Sequence, residues 1–89
     1  MKKQQVGTVV SKKTFLNSGA YAKEEYEGLI VSADVENGIY NIGIQLEEDR
    51  VLLVDQASDK EVHRKVHEWV PRIQEVQQMY FVDPHSQLK

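Results

Sequence analysis

Two histidines, His63 and His67, stand four residues apart in the stretch HRKVHEW. On a helix that spacing turns both imidazoles to one side, the arrangement that helical zinc sites use. A complete site needs at least a third ligand, which His85 or a carboxylate from the acidic middle of the chain would have to supply. The motif H-E-x-x-H is absent, so the matching metalloprotease chemistry is excluded. Spacing alone therefore leaves two half-exposed surface histidines, and no metal ligand is assigned. Glu47-Glu48-Asp49 also offers carboxylates to a hard cation. Without the spaced oxygens of a calcium loop, that run suits a solvated turn.

Nucleophilic chemistry has little to draw on. The chain contains no cysteine, which removes thiolate catalysis, disulfides and thiolate zinc sites together. No serine is paired with a base in a recognisable local motif. The glycines at 7, 19, 28, 38 and 43 fit neither G-x-G-x-x-G nor G-x-x-x-x-G-K, so no phosphate-cradling loop is indicated. The expectation is a protein that is not an enzyme, with no catalytic residue and no cofactor.

Binding chemistry is better represented. Residues 14–27, TFLNSGAYAKEEYE, show no sustained period, yet they carry Phe15, Tyr21 and Tyr26 beside Lys12, Lys13 and Lys23. Long segments of this kind are often functional. Aromatics supply apolar contact at low entropic cost, while lysines steer an approaching partner. Lys12, Lys13, Phe15, Tyr21, Lys23 and Tyr26 are accordingly the candidate partner-binding residues. The same mixture of bases and aromatics suits a single nucleic-acid strand. Charge distribution weighs against that second use. Residues 1–23 hold five lysines and no acid, but residues 24–62 hold eleven acids against only Arg50 and Lys60. Such a stretch repels phosphate. A small regulatory or interaction module binding a protein partner is thus expected, with single-stranded nucleic-acid binding as the alternative. Self-association through a sheet edge or the helix would be a further use of the same surface.

These residues must be held by a small frame. A chain of 89 residues, 40% hydrophobic and 28% charged, builds one modest core, and a single domain over residues 1–81 is expected. Residues 82–89 read as a frayed polar tail. The opening MKKQQVGTVVSKK has lysines but no apolar run to follow them. No stretch approaches the roughly 18 apolar residues of a membrane span. A cytoplasmic protein without membrane contact is expected.

Four strands and one helix are legible. Between Gly28 and Leu46 apolar and polar residues alternate about Asn37-Gly38, the dipeptide that a two-residue type I′ turn favours. That turn would set Leu29 opposite Leu46 and Val31 opposite Ile44, all on one face. Val51-Leu52-Leu53-Val54 suits a strand buried on both faces, and residues 5–11 suit another strand. Ser58-x-x-Glu61 has the form of a capping box. Beyond it Val62, Val66, Trp69, Val70, Ile73, Val76 and Tyr80 recur at three and four residues, with Pro71 on the opposite side. The expected fold is α+β: a three- or four-stranded antiparallel sheet, a small curved sheet or partial barrel, covered by one long C-terminal helix bent at Pro71.

Overall fold

Alternation of apolar and polar residues through the middle of the chain produces one antiparallel sheet, and a C-terminal helical region covers one of its faces. The computed structural model describes residues 6–16 and 22–87. In chain order the elements are β1 (Val9–Ser11), α1 (Lys12–Leu16), β2 (Ala22–Tyr26), β3 (Leu29–Asp34), β4 (Ile39–Glu47), β5 (Arg50–Ala57), α2 (Val62–Trp69), a 3-10 turn (Val70–Arg72) and α3 (Ile73–Gln87). The strands lie in the order β1-β5-β4-β3-β2, every neighbouring pair antiparallel. The fold is α+β. All four expected strands are present, and β2, drawn from residues 14–27, adds a fifth at the edge. α3 continues to Gln87 through residues that composition marks as tail.

The β3–β4 hairpin differs from expectation in one respect. Asp34, not Glu36, faces Ile39, so Leu29 pairs with Ile44 and Val31 with Ile42. Residues 35–38 form a four-residue loop in place of the two-residue turn. The cause is the Asp34 carboxylate. It accepts the Asn37 backbone N–H at 3.2 Å and the Asn37 side-chain amide at 2.8 Å, while Gly38 N–H donates to the Asp34 carbonyl at 2.9 Å. A type I′ turn needs positive φ at both central residues; here Gly38 has φ +70 and Asn37 does not. The register moves by two residues, an even number, so each side chain keeps its face.

Both faces of the sheet are packed. On one, Leu29, Val31, Ile42, Ile44, Leu46, Leu52 and Val54 meet Val66, Ile73 and Val76 of the helical region, with Val62, Trp69 and Val70 partly buried around them. On the other, Phe15 of α1 joins Ile30, Val51 and Leu53. The run from Val51 to Val54 therefore feeds both faces, as its unbroken apolar character predicts. Pro71 is exposed, opposite the apolar stripe. The capping box does not form. Glu61 is the N-cap of α2 without a side-chain cap bond, and the N–H groups of Glu61 and Val62 both donate to the Ser58 carbonyl, at 3.0 and 2.9 Å. A tight backbone turn supplies the acceptor that the serine hydroxyl was expected to provide.

Candidate functional site

The helical spacing that fills the core also leaves a flank. Trp69, Arg72, Val76 and Met79 follow one another at three- and four-residue intervals, and Tyr80 lies four beyond Val76, so they line one side of the helical region. That side faces the β5 and β1 edge of the sheet. Between them lies a cleft of about 210 Å³, lined along β5 by Leu52, Leu53 and Val54 and bordered by Val6 and Gly7. Gly7 is held there by its own N–H, which donates to the Leu53 carbonyl at 2.7 Å. Around the rim Val6, Met79 and Tyr80 remain 53%, 56% and 37% exposed.

Trp69 forms the fixed wall of this cleft. Its indole N–H donates to Asp55 Oδ2 at 3.0 Å. The other carboxylate oxygen of Asp55 accepts the Gln56 backbone N–H at 2.7 Å and lies 3.4 Å from the Lys65 ammonium. Lys65 also donates to the Gln56 carbonyl at 2.9 Å. Arg72 stacks over the indole, its guanidinium carbon 4.7 Å from the ring centroid, and its Nε lies 3.4 Å from Glu75. Among the described residues of the lining, Arg72 is the one ionised group. The arrangement suits binding of an apolar group beside a cation.

The residues singled out from sequence are dispersed. Lys12 and Lys13 follow directly on β1, whereas Tyr26 ends β2 at the opposite edge, with three strands between. Phe15 requires a correction. Its side chain is 0% exposed and lies over Gly43, so it packs the second core and is not presented to a partner. Tyr21 lies outside the described residues, as does the side chain of Lys23 in β2. Tyr26 is 41% exposed, and its ring meets His67 edge to face at 6.2 Å. His63 and His67 are exposed with ring centroids 4.9 Å apart.

Sequence alone missed the cleft because three separated segments build it. Met79 was the available signal, since it lies three residues beyond Val76 and extends the apolar stripe sideways. Among the described residues no helix is long and apolar enough to cross a membrane. None of their histidines, aspartates and glutamates form a group of three or more placed to hold a metal ion. No protein-family model, curated protein or solved structure matches the chain.

Proposed function

We propose that this chain is a small non-enzymatic interaction module, working in the cytoplasm, that binds a protein partner through the cleft between the helical flank and the β1–β5 edge. What supports this reading is the combination of a formed apolar cleft with exposed Val6, Met79 and Tyr80 on its rim. Interfaces use a desolvated apolar centre with polar groups around it. An aliphatic or aromatic anchor from the partner would seat against Trp69, Val54 and Val76, with Arg72 beside it. Lys12 and Lys13, further along the β1 edge, would raise the association rate toward an acidic partner more than the affinity.

The same reading takes the helical segments as a single arm bent at Pro71. The bend lies between Trp69 and Val76, two walls of the cleft, so it would set the cleft's width.

Affinity capture from the native host, with nuclease treatment, tests the proposal. Val6→Asp and Met79→Glu place charges on the rim at exposed positions, where folding should persist. A protein that is retained by the wild type and lost with both variants supports the reading. Equal retention by the variants would refute it. Recovery of single-stranded nucleic acid, abolished by Lys12→Ala/Lys13→Ala, would replace it with the nucleic-acid alternative.

A further inference from the structure

We propose that His63 and His67 form an exchangeable two-histidine chelate for a late first-row divalent cation, taking copper(II) in preference to nickel(II) and zinc. This goes beyond the interaction reading and involves a different surface. Spacing by itself supports only two surface histidines; ring separation and exposure add the rest. With metal–nitrogen bonds of about 2.0–2.1 Å, and a ring centroid roughly 1.1 Å beyond each nitrogen, each centroid would lie about 3.1–3.2 Å from a shared ion. The observed centroid separation is 4.9 Å. It would subtend about 100° at that ion, between the cis angle of a square-planar or octahedral site and the tetrahedral angle.

The rings now meet at an interplanar angle of 73°, so aiming both nitrogens at one point needs rotation about the side-chain bonds. Both histidines are exposed, which leaves room for that rotation and for an ion to enter. Tyr26 packs against His67 from β2 and limits the orientations its ring must give up. Arg64, the neighbouring cation on α2, is drawn away by Glu68 at 2.7 Å and Glu61 at 3.9 Å. Two protein ligands leave the remaining positions to water. The metal preference follows from the general affinity order for imidazole sites, in which copper(II) stands highest. Binding would tie the first two turns of α2 together, at a helix start that has no side-chain cap.

Calorimetric and visible-absorption titration of the purified chain with copper(II), nickel(II) and zinc in a non-coordinating buffer tests this directly. One saturable copper equivalent is expected, with affinity falling at least about ten-fold in His63→Ala and again in His67→Ala. His85→Ala should bind as the wild type does. Circular dichroism on each variant confirms that the fold is retained. Binding that persists in His63→Ala/His67→Ala, that needs only one of the two, or that never saturates would overturn the proposal.

Discussion

At the level of single residues, the most informative position is Gly43, where the absence of a side chain makes room for an aromatic ring. A Cβ placed there would come within 2.5 Å of Val51 Cγ1 and 2.9 Å of Phe15 Cε1. Both neighbours are fully buried. Gly43→Ala should therefore cost about 1–3 kcal/mol in urea unfolding, the usual range for overpacking a core. Phe15→Leu removes the ring atoms nearest the new methyl group and should relieve part of that strain. The two changes are expected to couple by at least about 0.5 kcal/mol; simple additivity would mean that the ring does not rest on Gly43. Nothing local in the sequence joins these positions. Alternation tells which face of β4 Gly43 occupies, but not that a ring from an earlier segment fills the gap. An aromatic in a segment without period looks like a contact residue, and only the fold shows that Phe15 belongs to a core.

Individual elements were legible where the cause is local and less so where a side chain intervenes. Period-two alternation located β3 and β4 and assigned every face correctly, because facing depends only on parity. Loop length depended on Asp34, whose carboxylate captures Asn37 and draws two more residues, Val35 and Glu36, into the loop. β2 escaped notice because AKEEY carries no apolar alternation, and an edge strand needs none. The cleft escaped for a different reason, being built from Val6 and Gly7 ahead of β1, from β5 and from the helical flank at once. The hairpin loop yields two predictions of different size. Gly38→Ala meets nothing within 4 Å but must adopt φ +70, so it should lose only the backbone penalty, about 1 kcal/mol. Asn37→Ala strips the side-chain amide donor from a carboxylate on a residue that is only 5% exposed, and leaves the backbone N–H in place. A loss of about 1.5–3 kcal/mol is expected, the range for hydrogen bonds to a charged group. Thermal or urea unfolding should rank Asn37→Ala as the more damaging change. The reverse order would mean that the loop is held by its backbone geometry alone.

Taken as a whole, the molecule is one sheet with a core on each side, and β5 belongs to both. Leu52 and Val54 face the helical region, while Val51 and Leu53 face Phe15. Neither half-core is large, and the strands that carry one carry the other, so loss of either should release the whole sheet. Small domains of this size generally unfold in one cooperative step. The single tryptophan of the chain, Trp69, reports from the helical side, where its indole is tied to Asp55. Ile73→Val thins the helical core and should cost about 0.5–1.5 kcal/mol. Phe15→Leu thins the opposite core and should cost roughly 1–2 kcal/mol. For both variants, urea transitions followed by Trp69 fluorescence and by far-ultraviolet circular dichroism should coincide at one lowered midpoint with an unchanged slope. The Phe15→Leu result decides the matter, because the substituted ring and the reporting indole lie on opposite faces of the sheet. A fluorescence midpoint that stays at the wild-type value while the dichroism midpoint falls would mean that the helical side holds together independently of α1. The two cores would then be separate folding units joined only by β5.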